Sequence, residues 1–99
     1  MAFIYITEHT HSRVVQGGLV PVVEMPPLAT QKVANAGATT QSAAFNAATR
    51  IVAIHTDSIC SIEFGANPTA TTSSRRLAAG TTEYFQVIPG DKVAAILNT

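Results

Sequence analysis

The chain has 99 residues, 6 acidic and 6 basic groups, and only 12% charged residues. That length fits one domain with a thin core. The lack of a basic excess excludes the positive face on which a nucleic-acid binder depends. No apolar run reaches the roughly 18 residues of a membrane span, the start has no secretory pattern, and the lone Cys60 excludes an intrachain disulfide.

Alanine inflates the 46% hydrophobic content, since aromatic residues make up 6% and Trp is absent. Large core-forming side chains are therefore few. Such a chain is expected to work against partner surfaces and not as a lone monomer. Low charge with abundant Thr and Ala suits a surface covered by other protein.

In chain order, "AFIYITE" at 2–8 alternates Phe3, Tyr5 and Thr7 against Ile4 and Ile6, a strand pattern. "EHTH" at 8–11 follows and reads as a polar, exposed turn. His9 and His11 share a face if the strand continues, but no third ligand lies nearby, so no metal site is assigned. "LVPVVEM" at 19–25 is β-branched, and Pro21 makes it an edge strand or extended arm. Pro26-Pro27 keeps the backbone extended. Residues 1–30 are thus expected to form an extended N-terminal arm with one or two strands, and residues 31–99 a compact domain.

"ATQKVANA" at 29–36 is a weak strand centred on Val33, and "TQSAAF" a strand turning at "NAAT". "RIVAIHT" at 50–56 is almost continuously apolar, as in a central strand. "SICSIEF" at 58–64 turns Cys60, Ile62 and Phe64 inward, with Ser61 and Glu63 outward. "TEYFQVI" at 82–88 and "DKVAAIL" at 91–97 place Phe85 with Val87, and Val93 with Ala95 and Leu97. Turn chemistry at "HTDS", "AAGT" and "PGD" separates these runs, with Asp57 expected to bond backbone in the first. The pattern predicts an all-β fold, an antiparallel β-sandwich, jelly-roll-like or Ig-like, of about seven or eight short strands. Its expected core contains Phe45, Val52, Ile54, Cys60, Ile62, Phe64, Phe85, Val87 and Val93.

"GANPTATTSS" at 65–74 resembles a linker but divides no domains. Gly65 ends a strand, Pro68 stiffens the excursion, and residues 66–74 carry no charge. An exposed solubilising loop normally carries Lys, Glu or Asp. Two readings stand side by side: an ordered loop at a protein–protein contact, with Thr71 and Thr72 at its centre and Arg75 and Arg76 pairing with acids of a partner, or a plain surface loop.

Catalytic patterns are weak. Cys60 has no basic neighbour to activate it and reads as a small core residue. His55, Asp57 and Ser58 sit too close along one strand and turn to form a nucleophile–base–orienter line. Glu63 and Glu83 have no cleft to share and read as solvated positions. The chain is read as non-enzymatic, with no catalytic residues, metal or cofactor.

The motifs "IYITE", "QSAAFNAATR", "HTDSIC", "FGANPTATTSS", "RLAAGTTEYF" and "PGDKVAAI" together resemble a group of small virion-associated structural proteins of tailed bacteriophages. The resemblance is strongest over residues 41–97. It implies a β-sandwich component of the phage particle, assembled in the host cytoplasm, in the first place a capsid decoration or cement protein that binds and stabilises the major capsid shell. The alternative is a minor tail or neck component acting as a small ligand- or carbohydrate-binding module. The partner is then the major capsid protein or another virion protein, in a multi-copy or homo-oligomeric arrangement, with no nucleic acid and no membrane. Phe3, Tyr5, Val22 and Leu28 of the arm join Thr71, Thr72, Arg75 and Arg76 as expected contact residues.

Overall fold

The computed structural model describes residues 2–10, 12–15, 18–23 and 27–98, with backbone alone for 12–15 and 18–23. Every regular element among them is a strand: β1 (Phe3–His9), β2 (Ser12–Val15), β3 (Gly18–Val23), β4 (Ala29–Ala34), β5 (Thr40–Gln41), β6 (Ile51–Thr56), β7 (Cys60–Gly65), β8 (Arg75–Leu77), β9 (Thr82–Gln86) and β10 (Lys92–Leu97). A first sheet has the order β4-β1-β6-β9, a second β5-β10-β7-β8, and β2 and β3 form a separate two-stranded ribbon. All pairings are antiparallel. The expected β-sandwich is thus present in its general form.

Alternation decides the inner faces. In the first sheet Ile4 pairs with Val33 and Thr56, Ile6 with Gln31 and Ile54, and Val52 with Phe85. In the second, Phe64 pairs with Val93, Ile62 with Ala95, and Cys60 with Leu77 and Leu97. These two rows close on one another as the core, in which Ile4, Ile6, Ile54, Ile62 and Leu77 are almost wholly buried. Each such side chain contributes about 1.5–3 kcal/mol by leaving water. Phe45, Phe64 and Phe85 link the layers at one end, with ring centroids 6.5 Å and 5.2 Å apart along the series. Of the expected core, Phe45, Val52, Ile54, Cys60, Ile62 and Val93 are buried, while Phe64, Phe85 and Val87 are partly buried against them.

Residues 3–9 are not an arm. β1 lies inside the first sheet, hydrogen-bonded to β4 on one side and β6 on the other. Its Ile4 and Ile6 supply core that residues 31–99 lack. What departs from the sandwich is the ribbon of β2 and β3, an extension of the β1–β4 hairpin whose base is marked by the Leu28 N–H donating to Glu8 O at 2.7 Å.

"EHTH" does not begin an exposed turn either. Glu8 and His9 are buried. Glu8 Oε1 accepts from the Asn46 N–H at 2.8 Å and from Thr49 Oγ1 at 2.8 Å, and Oε2 accepts from Gln31 Nε2 at 3.0 Å. One carboxylate thereby ties the 42–50 crossover to the first sheet. Ahead of that crossover stands a single short pairing at Thr40–Gln41, and irregular backbone follows where "TQSAAF" was expected to form a strand. The Ser42 N–H still donates to Val93 O in β10 at 2.8 Å, but the Phe45 N–H donates to Asp91 O at 2.8 Å, so the segment leaves the β10 ladder for the turn before that strand.

Candidate functional surface

The two outward faces of the sandwich differ. On the second sheet, Ser61 and Ala94 point away from the core yet are fully buried. The 66–74 loop lies across them. Gln41 Nε2 donates to Pro68 O at 2.8 Å, the Ala70 N–H donates to Thr39 Oγ1 at 2.9 Å, and Asn98 Nδ2 donates to Ser61 Oγ at 2.8 Å and Thr72 O at 3.1 Å. Ser74 Oγ completes the anchoring on Glu63 Oε1 at 3.1 Å. Within the loop, Pro68 and Ala70 are buried. Small residues on the sheet leave room for small residues of the loop, which accounts for its composition.

Thr71 is exposed but committed to its own turn. Its carbonyl accepts from the Ser74 N–H at 2.9 Å, and its Oγ1 accepts from the Ser73 N–H at 3.3 Å. Thr72 is also exposed. Arg75 does not await a partner's acid: Nη2 donates to Glu83 Oε1 at 2.6 Å, and the guanidinium carbon lies 5.2 Å from the Phe85 ring centroid. Glu83 is accordingly an internal ion-pair member and not a freely solvated strand position. Arg76 lies in register with Ser61 on the outward face and is exposed.

No segment of the second sheet or its loop covers the outward face of the first sheet. One rung there runs Lys32, Tyr5, His55 and Thr82 across all four strands, and the next runs Thr30, Thr7, Ala53 and Tyr84. Tyr5 is 39% exposed and Tyr84 60%. Lys32 Nζ stands 4.2 Å from the Phe3 ring centroid and 5.6 Å from that of Tyr5. Tyr5 and His55 lie with centroids 6.3 Å apart. His55 Nδ1 is 2.9 Å from Thr82 Oγ1, and its Nε2 is 4.0 Å from Asp57 Oδ1. The face thus combines apolar rings with fixed polar groups, the mixture favoured at protein contacts.

Phe3 and Tyr5 share this face, whereas Thr71, Thr72 and Arg76 lie on the opposite side of the sandwich. The structure does not unite them into one surface. Leu28 is 41% exposed at the ribbon's base. Val22 lies on β3, and its side chain falls outside the described residues, as does His11 altogether. Lys32 and Tyr84 were not singled out from sequence. Their signal is register, which places them beside Tyr5 only once β4 and β9 are assigned to its sheet.

The groups weighed for catalysis are dispersed. Cys60 is fully buried in the core, and Glu63 and Glu83 serve different hydrogen bonds. The turn after β6 is bonded by Thr56, whose Oγ1 donates to Ser58 O and accepts from the Ser58 N–H, where Asp57 was expected in that role. Among the described residues, no group of three or more His, Cys, Asp or Glu could hold a metal ion. Compared with known proteins, the chain matches no family model, no curated protein and no solved structure.

Proposed function

We propose that this chain is a non-enzymatic structural protein of a phage particle, a decoration or cement protein that binds the major capsid shell through the outward face of its first sheet. The observation that carries the reading is the asymmetry of the sandwich. The chain covers one outward face with its own 66–74 loop, whereas on the other, among the described residues, Tyr5 and Tyr84 stand exposed beside Phe3. The motif resemblance over residues 41–97 supplies the phage context. A contact built on exposed aromatic rings is individually modest, and repetition over many copies of a shell protein makes it effective. The eight sandwich strands in two sheets of four favour a jelly-roll-like arrangement over an immunoglobulin-like one.

The test is Tyr5→Glu in the full chain, assayed by cosedimentation with particles stripped of this protein. Tyr5 points outward, so the fold is retained, as circular dichroism would verify. Binding should be lost. Particle binding equal to that of the unaltered protein removes this face from the mechanism. A second reading, a tail or neck module for a small ligand or carbohydrate, is favoured by the Tyr5–His55 pairing. Copy number per particle separates the two, high for a shell protein and low for a tail component.

A further inference from the structure

We infer that the partner meets the first sheet with an acid: a carboxylate of the shell protein, from Asp or Glu, seated against Lys32. The inference rests on the proposed contact through that face and names the chemistry of what docks there.

Register decides which charges the face presents. Among the described residues, no Asp or Glu stands at an outward position of β4, β1, β6 or β9, and Lys32 is the one Lys or Arg there. The carboxylates around this sheet are committed elsewhere. Glu8 points inward and accepts from Asn46, Thr49 and Gln31. Glu83 pairs with Arg75 between the layers. Asp57 lies in the turn past β6, 4.0 Å from His55 Nε2, and β6 is two strands away from β4. Lys32 is exposed and meets no carboxylate among the described residues.

The ammonium is nonetheless held in place. Its Nζ stands 4.2 Å from the Phe3 ring centroid and 5.6 Å from that of Tyr5. Attraction to the ring faces gives it a preferred position. It then loses less freedom on meeting an acid than a lysine ranging through solvent would. An aromatic face is a weaker acceptor than a carboxylate oxygen, so an incoming acid supplies charge-assisted bonds that the rings do not.

Arg75 provides the internal comparison. Its guanidinium also lies by a ring, 5.2 Å from the Phe85 centroid, but Glu83 answers its charge at 2.6 Å. The chain thus supplies the acid for that ring-held cation and supplies none for Lys32. Tyr5 and Tyr84, both exposed, give apolar surface beside the cation. Apolar side chains of the partner flanking its acid would exclude water there and strengthen the pair. A basic partner segment would be repelled, which makes the contact selective.

The experiment measures binding of the full chain to particles stripped of this protein, in salt from about 50 mM to about 1 M. Lys32→Gln should bind about tenfold more weakly than the parent chain at the low end and equally at the high end, where salt screens the pair. Lys32→Glu should be weaker still at low salt, and Lys32→Arg, which keeps the charge, should retain most of the binding. Lys92→Gln removes the same charge from the second sheet and should bind like the parent. Urea unfolding of the free chain verifies that each variant keeps its fold.

Tyr5→Glu, measured alongside, separates the two levels. If the parent chain does not bind, or Tyr5→Glu binds normally, the contact through this face is wrong and the acid with it. If Tyr5→Glu fails to bind while Lys32→Gln and Lys32→Glu bind like the parent, the face stands and the acid is wrong. A loss in Lys32→Gln that persists at high salt would mean that the stem packs and the charge pairs with nothing. An equal loss in Lys92→Gln would mean general attraction to an acidic particle. Either result overturns the seat at Lys32.

Discussion

Arg75 and Glu83 meet across the open side of the sandwich, one from each sheet, with Nη2 donating to Oε1 at 2.6 Å. β8 and β9 are both edge strands, so this ion pair closes the gap where the layers would otherwise admit water to Phe85. The side chains are 59% and 35% exposed, and solvent screens the attraction accordingly.

A double-mutant cycle with Arg75→Ala and Glu83→Gln should therefore give a coupling of only about 0.2–1 kcal/mol, shrinking in high salt. Arg75→Ala alone should cost more than Glu83→Gln, because it also uncovers the Phe85 ring. Urea unfolding at low and high ionic strength measures both. A salt-independent coupling would contradict the ion-pair account.

Glu8 carries a larger share of stability. Glu8→Ala leaves the Asn46 N–H, Thr49 Oγ1 and Gln31 Nε2 without their acceptor in a buried site, a loss expected to exceed about 3 kcal/mol. Glu8→Gln retains one oxygen for Asn46 and Thr49 but faces Gln31 Nε2 with a second donor. Its cost should fall at about 1–3 kcal/mol. Gln31 cannot turn over to compensate without losing the bond its Oε1 accepts from the Ala43 N–H at 2.9 Å. Equal destabilisation by the two variants would show that packing, and not hydrogen bonding, sets the role of Glu8.

Gly80 has φ of 73°, and its N–H donates to Thr56 O at 2.8 Å in the connection from β8 to β9. A Cβ there would meet nothing within 4 Å. Gly80→Ala should thus cost only the left-handed backbone penalty, about 1–2 kcal/mol, seen as a lower Tm with an unchanged spectrum. A larger loss would mean that the connection itself had moved.

Much of the sandwich was legible from local pattern. Alternation in "SICSIEF" and the apolar run "RIVAIHT" placed β7 and β6, and their inward residues followed. β1 was misjudged although its alternation was equally clear. Its partner β4 lies beyond the ribbon, and nothing local tells whether a good strand sits inside a sheet or lies outside it. Ile4, Ile6, Val33 and Leu77 were missed from the core for the same reason. Glu8 and Glu83 were read as solvated because charge normally marks surface, whereas their partners, Asn46, Thr49 and Arg75, are supplied by tertiary contact. Tyr5 was found as a surface candidate, but its neighbours Lys32 and Tyr84 depended on sheet order.

The 66–74 loop gives the last prediction. Ala94 faces outward from β10 and is fully buried, so the loop must lie close enough to exclude water from a methyl group. Ala94→Leu adds three carbons to that contact. Overpacking of this kind costs about 1–3 kcal/mol. Because the loop is held by bonds to the side chains of Thr39, Gln41 and Asn98 and by Ser74 on Glu63, it should lift before the sheet deforms. Limited proteolysis should then cut Ala94→Leu within 66–74 while the unaltered protein resists. By contrast, Thr71→Glu with Thr72→Glu adds charge at exposed positions and removes only the bonds that Thr71 Oγ1 makes within its own turn, so it should cost far less than Ala94→Leu and leave the loop resistant to protease. If that pair abolished particle binding with the fold intact, the covered face would be a shell contact and the assignment to the first sheet would have to be revised.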